Sequence, residues 1–318
     1  MTWEIIQADA RSLPLDDASV DEIITSPPYW GLRSYRDGGE HYDGQFGSEP
    51  SPREFVDGLV GMIDGEWRRV LKPSGSLWLN LGDKYNNRSV TRSSSHQGGL
   101  FPDRKDDTIG TTWADLTKQG RTRLTDPITR EKSLLGLPWR VALQLIDAGW
   151  ILRAAVVWNK TGMPESVTDR VRTTDQEMFF HFTTEPHYYS AIDEIREPAA
   201  SPDATDRIPG SVWKINYEPP VIPDAVLANL GLGKHHASFP TQLVHRPILG
   251  WSPPGGVILD PMCGTGTVPG VAHKLGRHGI GVDLSNDYCR LARWRIESSG
   301  AFEKVTNRTW QDRQLGML

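Results

Sequence analysis

Apolar positions along this 318-residue chain fall into two recurring patterns. Short, nearly continuous apolar runs bounded by Asp, Gly or Pro read as strands buried on both faces. They are Trp3 to Gln7, Val20 to Thr25, Ser76 to Leu81, Ile151 to Trp158, Glu177 to Phe182, Gly256 to Asp260 and His278 to Asp283, with a shorter one around Val212 to Ile215. Between them apolar residues recur at helical spacing. Phe55, Leu59, Met62, Ile63, Trp67, Val70 and Leu71 predict an amphipathic helix over 53–71, stopped by Lys72-Pro73-Ser74-Gly75. Further helices are expected from Leu137 to Ala148 (Pro138 in the first turn, Gly149 at the end), from Phe239 to Leu249, after Gly266 to Leu275, and from Asn286 to Ile296. Strand, helix and strand at this spacing near the C-terminus predict a right-handed βαβ unit with a parallel sheet. The fold class is therefore α/β.

Three stretches break the pattern. Residues 31–52, rich in Gly, Tyr and charge, suit a mobile loop over a site. Residues 84–132 lose periodicity altogether, and Ser89 to Ser95 and Asp103 to Asp107 suit an inserted, partly disordered segment. Residues 190–235 are Pro-rich and irregular. The expected organisation is a first half over 1–83, an insertion over 84–132, a continuation over 133–189, a recognition region over 190–235, a second half over 236–300 and a tail over 301–318.

Charge sharpens one of these segments. The whole chain carries −5, but residues 84–132 hold 10 Lys/Arg against 6 Asp/Glu. DNA affinity depends on such a local basic face rather than on the sum. Two cysteines, Cys263 and Cys289, are too few for a disulfide framework or a Cys-based zinc site, and no metal site is expected. No apolar run spans a bilayer and Met1-Thr2-Trp3-Glu4 has no signal-peptide pattern, so the expectation is a soluble, cytoplasmic protein.

Two stretches carry chemistry. In Thr25-Ser26-Pro27-Pro28-Tyr29-Trp30, consecutive prolines end a strand and leave carbonyls without ladder partners. A hydroxyl before them and two aromatics after them could grip a flat, amine-bearing ring such as a nucleobase drawn from its stack. In Asp260-Pro261-Met262-Cys263-Gly264-Thr265-Gly266-Thr267, the glycines let a ligand approach the backbone at a helix start. Asp283, 17 residues beyond Gly266, ends the next strand, where a carboxylate can take both ribose hydroxyls. An adenosine-containing cofactor fits, either a nicotinamide dinucleotide or S-adenosyl-L-methionine. The late third glycine, Gly270, and Asp260 beside the turn suit a cationic amine better than a diphosphate.

These paired motifs resemble the exocyclic-amino DNA methyltransferases that use S-adenosyl-L-methionine, in the class whose catalytic motif precedes the cofactor motif. Ser26-Pro27-Pro28-Tyr29 matches the family's (Asp/Asn/Ser)-Pro-Pro-(Tyr/Phe/Trp). Asp260 to Thr267 matches Asp-Pro-Phe-x-Gly-Ser-Gly-Thr, with Met262 for the Phe and Thr265 for the Ser. His236 to Leu243, including Phe239, Pro240 and Thr241, resembles the helix start that touches the methionine part of the cofactor. Trp158-Asn159-Lys160, Pro164 to Val167, Asp169-Arg170 and Arg69 to Pro73 also look familial.

The resemblance implies a Rossmann-like, doubly wound, mostly parallel seven-stranded sheet in circularly permuted order, with inserted DNA-recognition segments. It implies methyl transfer from S-adenosyl-L-methionine to an exocyclic amine of a flipped base in double-stranded DNA. The Ser26 hydroxyl and Pro27 carbonyl would accept from the amine, Tyr29 would stack on the base, and Asp9 would touch the cofactor adenine. Members with Ser before Pro-Pro more often look like cytosine-N4 enzymes, which favours cytosine N4 over adenine N6. Carbon-5 methylation needs a thiolate, and both cysteines read as packing residues. Trp30, Arg33, Arg88, Arg92, Arg121 and Arg123 are the expected DNA contacts, with the core as the alternative place for Trp30. A homodimer and a separate cognate restriction endonuclease are open partners. A nicotinamide-dependent oxidoreductase or a catalytically silent DNA-binding module would explain fewer of these residues.

Overall fold

A computed structural model of the chain describes residues 3–31, 33–37, 40–41, 45–86, 110–112, 128–160, 165–198, 205–218, 221–230, 238–298, 300–303 and 305. The main sheet contains β1 (Trp3–Gln7), β2 (Val20–Thr25), β5 (Leu71–Leu81), β7 (Ile151–Asn159), β8 (Gln176–Thr183), β9 (Val212–Lys214), β10 (Val257–Asp260) and β11 (His278–Asp283). Their spatial order is β1-β11-β10-β2-β5-β8-β7-β9. β1 to β5 in that order run parallel, while β8 is antiparallel to both of its neighbours. The sheet is thus mostly parallel, as expected, but it has eight strands rather than seven. The extra one is β9, a three-residue edge strand beside β7.

Period-two alternation assigns the strand residues to two cores. Ile23, Leu77, Leu79, Phe180 and Phe182 face one core, shared with α1 (Pro52–Met62) and α2 (Leu137–Asp147). Ile24, Trp78, Phe179 and Ile258 face the other, shared with α4 (Thr241–Trp251) and α5 (Thr267–Lys274). A short helix, α3 (Asp224–Leu230), packs its Leu227 with Tyr288 and Leu291 of α6 (Asn286–Ser298). The α6 face bearing Cys289 and Ala292 closes on Ile5 and Cys263. Both cysteines are buried packing residues, as their sequence context suggested.

The long helix expected over 53–71 is helical as far as Val70 but not uniform, and Leu71 already belongs to β5. One π-helical turn over Ile63–Trp67 separates α1 from the last turn, Arg68–Val70. That turn lets Trp67 donate Nε1–H to the Ala10 carbonyl at 3.0 Å while staying fully buried. The predicted break at Lys72 to Gly75 is instead the start of β5, absorbed as a register shift opposite Val20 and Glu22. The helix expected from Phe239 begins at Thr241, with Pro240 as its cap.

The irregular segments also depart from expectation. Gly110–Thr112 forms a strand, β6, antiparallel to β3 (Arg33–Asp37), which pairs in turn with β4 (Glu40–His41). The insertion and the loop after the Pro-Pro turn therefore share a small second sheet. Order after the insertion begins before Leu134, because Asn86 exchanges backbone hydrogen bonds with Lys132 and Ser133. Ser89 to Ser95 and Asp103 to Asp107 lie outside the described residues. No helix among the described residues is long and apolar enough to cross a membrane.

Close packing of α5 on β11 depends on Gly279. An added Cβ there would lie 2.5 Å from the Pro269 carbonyl oxygen and 2.6 Å from its Cα. Backbone cannot rotate aside as a side chain can. Gly279→Ala is therefore expected to destabilise the fold by roughly 2–3 kcal/mol, read as a lower urea midpoint with unchanged slope. An unchanged midpoint would mean that the layer is not tightly packed there.

Candidate active site

The chain leaves β2 toward β5 on one side and leaves β10 toward β11 on the other, so a topological switch point lies between these neighbours. In open parallel sheets this is where the ends of adjacent strands diverge into a ligand crevice. Both motifs leave the sheet at this point. Thr25 Oγ1 donates to Asp260 Oδ1 at 2.7 Å, tying the last residue of β2 to the last of β10.

After β10 the chain turns through Gly264 (φ 49°) and Gly266 (φ 74°), left-handed conformations that favour glycine. At Gly266 a Cβ would also meet that of Ala292 at 2.9 Å. The turn is braced from two sides. Asp283, ending β11, accepts from the Gly264 N–H and the Ser285 N–H, both at 2.9 Å. Arg295 of α6 donates to Thr265 Oγ1 at 3.0 Å and to Thr267 Oγ1 at 2.7 Å. Thr265 and Thr267 are buried, so their hydroxyls shape the turn from within rather than meeting a ligand directly. Arg295 is itself buried, which pushes its guanidinium down to about 10.

A cleft opens beside this turn. Its lining includes Asp9, Arg11, Pro28, Phe46, Met262 and Asp283. Asp9 lies two residues past the end of β1 and Asp283 ends β11, so two carboxylates from neighbouring strands reach one cleft. Asp9 is half-exposed and pairs with Arg11 at 2.6 Å, which holds its carboxyl below the usual range. Met262 lines the cleft where the family's Phe stands; Pro261 lines it too, whereas Cys263 is turned into the core. Phe46 is anchored against Phe55, with ring centroids 5.0 Å apart. Gln45, Phe46 and Glu49 were not anticipated, because a Gly-rich loop has no periodicity to show which residues fold inward.

Asp260 is not on the open wall. It is 2% exposed, accepts from Thr25 and from the Met262 N–H, and its carboxyl is pushed up to about 7 by burial, with Asp283 adding. At the start of α4, Phe239 packs against the second core and Thr241 Oγ1 donates to Glu218 at 3.2 Å. Beside them the Ser238 hydroxyl is buried with no hydrogen-bond partner among the described residues. A buried carboxyl near neutrality and an orphan hydroxyl are groups that a polar ligand would satisfy. The donor set thus fits an amine-bearing nucleoside at this end of the sheet.

The Pro-Pro turn holds the other set. Ser26 Oγ lies 3.2 Å from Tyr29 Oη, and Tyr29 Oη donates to Glu177 Oε2 at 2.7 Å. Asn80 Nδ2 approaches Ser26 Oγ at 3.3 Å, Tyr29 Oη at 2.7 Å and Glu177 Oε2 at 2.7 Å. Lys160 Nζ pairs with Glu177 Oε1 at 2.6 Å. Tyr29's ring rests on Gly82, where a Cβ would come within 2.6 Å of Cε2. Trp30, expected near DNA, is instead wholly buried and donates Nε1–H to the Glu49 carbonyl at 2.8 Å. Its bulk anchors the turn to the first core. Arg33 lies in β3, and its side chain falls outside the described residues, as do Arg88, Arg92, Arg121 and Arg123.

Asn80 and Glu177 are site residues that the motifs did not reveal. Asn80 was visible as the one polar residue within Leu77 to Leu81. Glu177 looked like an ordinary strand-end acid, and only the antiparallel pairing of β8 with β5 brings it to the turn.

The sequence matches the DNA methylase family of N6 and N4 enzymes over residues 20–293. It is 36% identical over 302 residues to the Type II methyltransferase M.SmaI of Serratia marcescens, covering 92% of this chain and 90% of that one. It is also 36% identical to the Type II methyltransferase M.Cfr9I of Citrobacter freundii, over 92% and 87%. Among solved structures, the fold is similar to the PvuII DNA methyltransferase, described as cytosine-N4-specific, with a TM-score of 0.62, 16% identity and 96% and 93% coverage. A switch-point cleft with paired carboxylates beside a Ser-Pro-Pro-Tyr turn, matched over most of its length, makes this chain a member of the N6/N4 DNA methylase family, a DNA methyltransferase with S-adenosyl-L-methionine as its cofactor.

Proposed function

We propose that the chain methylates the exocyclic N4 of cytosine at a specific site in duplex DNA, on a base flipped into the space above the Ser-Pro-Pro-Tyr turn. The observation that carries this reading is the turn itself: an uncharged hydroxyl, Ser26, at the end of β2, within one strand spacing of the cofactor turn after β10. S-adenosyl-L-methionine supplies an electrophilic methyl group on a sulfonium. Asp283 accepts from the ribose hydroxyls, since a carboxylate holding two backbone N–H groups still has lone pairs to offer. Asp9 reaches the adenine, with Met262 and Phe46 as apolar walls. Asp260 and Ser238 serve the methionine end.

An amine conjugated to a ring is a poor nucleophile until its lone pair leaves the ring plane. Ser26 Oγ and the Pro27 carbonyl hold its two N–H bonds and favour the charge that grows on nitrogen. Tyr29 stacks on the base, worth roughly 1–3 kcal/mol against the few kcal/mol of unstacking. The basic insertion and the 190–235 region read the target sequence. Nucleoside mass spectrometry of DNA from expressing cells is expected to show new N4-methylcytosine, absent with the Ser26→Ala, Tyr29→Ala variant. New N6-methyladenine instead would overturn the choice of base, and no modified base would overturn the reaction.

A further inference from the structure

A neutral serine is a weak acceptor, and nothing in the motif itself says which way its hydroxyl points. The surrounding hydrogen bonds do. Glu177 is ion-paired through Oε1 with Lys160 at 2.6 Å, and as a carboxylate it can only accept. Its Oε2 therefore receives the single proton of Tyr29 Oη, 2.7 Å away. With that proton committed, Tyr29 Oη can only accept from Ser26 Oγ at 3.2 Å. Asn80 Nδ2, a pure donor, reinforces this direction by approaching all three oxygens. Ser26 must then give its proton inward and turn lone pairs outward. We propose that Glu177 is a positioning residue for methyl transfer: acting through Tyr29, it fixes Ser26 as a hydrogen-bond acceptor toward the target amine.

The inference rests on the reaction proposed above. It also provides an exit for the proton that the amine must lose once its nitrogen has formed the new bond to carbon and the sulfur–methyl bond has broken. That proton passes from nitrogen to Ser26 Oγ, the Ser26 proton to Tyr29 Oη, and the Tyr29 proton to Glu177 Oε2. Each hydroxyl gains one proton and gives one. Glu177, whose side chain is 15% exposed, can return the last to water.

Glu177→Gln reverses the chain. The Gln carbonyl turns to Lys160, its NH2 group donates to Tyr29 Oη, and the Ser26 proton swings toward the substrate. Tyr29→Phe keeps the stacking ring but cuts the link. Single-turnover and steady-state methyl transfer from labelled S-adenosyl-L-methionine to unmethylated mixed-sequence DNA distinguishes these variants. Each single variant is expected to lose on the order of 100-fold in kcat, with KM for DNA and cofactor affinity within about threefold of wild type. The double variant is expected to be no slower than Tyr29→Phe alone, because the two groups act in series. A merely structural Glu177 would shift cofactor affinity and thermal stability instead. A kcat within about threefold of wild type for either variant overturns the proposal, and so do losses that multiply in the double variant. If Glu177→Gln does not fold, Tyr29→Phe alone decides the matter by the same threefold limit on kcat. Absence of transfer by wild type would overturn the reaction itself, a result separable from wild-type turnover with an unaffected variant.

Discussion

Ser26→Ala is expected to slow methyl transfer by on the order of 100- to 1,000-fold while leaving cofactor affinity unchanged. Removing one acceptor from a preorganised charge-stabilising site has about that effect. The separation from cofactor binding follows from where the residues sit. Ser26 leaves β2 on the Tyr29 and Asn80 side, whereas most of the cleft lining follows β1, β10 and β11, with Pro28 as the contribution of the Pro-Pro turn. Thr25, not Ser26, bridges to Asp260. Alanine at 26 removes one oxygen and a hydrogen bond to Tyr29 but keeps Tyr29 pinned by Glu177 and Gly82. Stopped-flow or rapid-quench transfer rates, with cofactor affinity from calorimetry, check this. A comparable loss in cofactor affinity would show that the two half-sites are one unit, and an unchanged rate would remove Ser26 from the chemistry.

Asp260→Asn is expected to act in opposite directions on stability and on cofactor binding, and both effects depend on pH. Burial raises the carboxyl from its ordinary 3.8 to about 7. A carboxyl with a higher pKa in the folded state binds its proton more tightly there. Its stabilising contribution is fully present below pH 3.8 and is lost as pH rises through about 7. The free protein is therefore less stable at pH 8 than at pH 5 on this account, by on the order of 3 kcal/mol. Asn keeps an acceptor for Thr25 and Met262 without the charge, so the variant should resist unfolding better than wild type at pH 8, by a smaller margin at pH 5, and about equally only below pH 3.8. A cationic amine restores the value of the charge. Wild-type affinity for S-adenosyl-L-methionine should strengthen as pH rises from 6 to 8, with a proton released on binding, whereas the variant should bind weakly with a flat profile. Calorimetry in two buffers measures the proton count. The same pH slope in both proteins would show that Asp260 does not face the amine.

Local patterning carried the strands, their order of burial and the two motifs. Near-continuous apolar runs ending in Asp or Pro need no partner to be recognised, because burial on both faces dictates their composition. The cofactor turn was readable for a similar reason: its glycines are demanded by backbone conformation, and Gly264 and Gly266 adopt it. Register and crossing were not readable. Leu71 to Gly75 could extend β5 only because Val20 lay opposite to receive it. Trp30 resembled a stacking residue beside Tyr29, yet side chains one position apart point to opposite sides of an extended turn, and only the packing of α1 decided which was swallowed.

The same division runs through the site. Ser26, Tyr29, Asp260 and Asp283 could be named from the chain because each sits in a contiguous motif whose spacing is itself chemical information. Asn80, Lys160 and Glu177 could at most be noticed singly and not joined to them, since they lie 54, 134 and 151 residues beyond Ser26, on β5, just after β7 and on β8. What joins them is the pairing of β5 with β8 and of β8 with β7. The sequence by itself determined that a methyl-transfer motif and a cofactor motif were both present. Only the tertiary structure decided that they meet at a switch point, and that an antiparallel strand delivers a carboxylate to the Tyr29 hydroxyl. A hydrogen bond acts over about 3 Å, and separation along the chain carries no information at that scale.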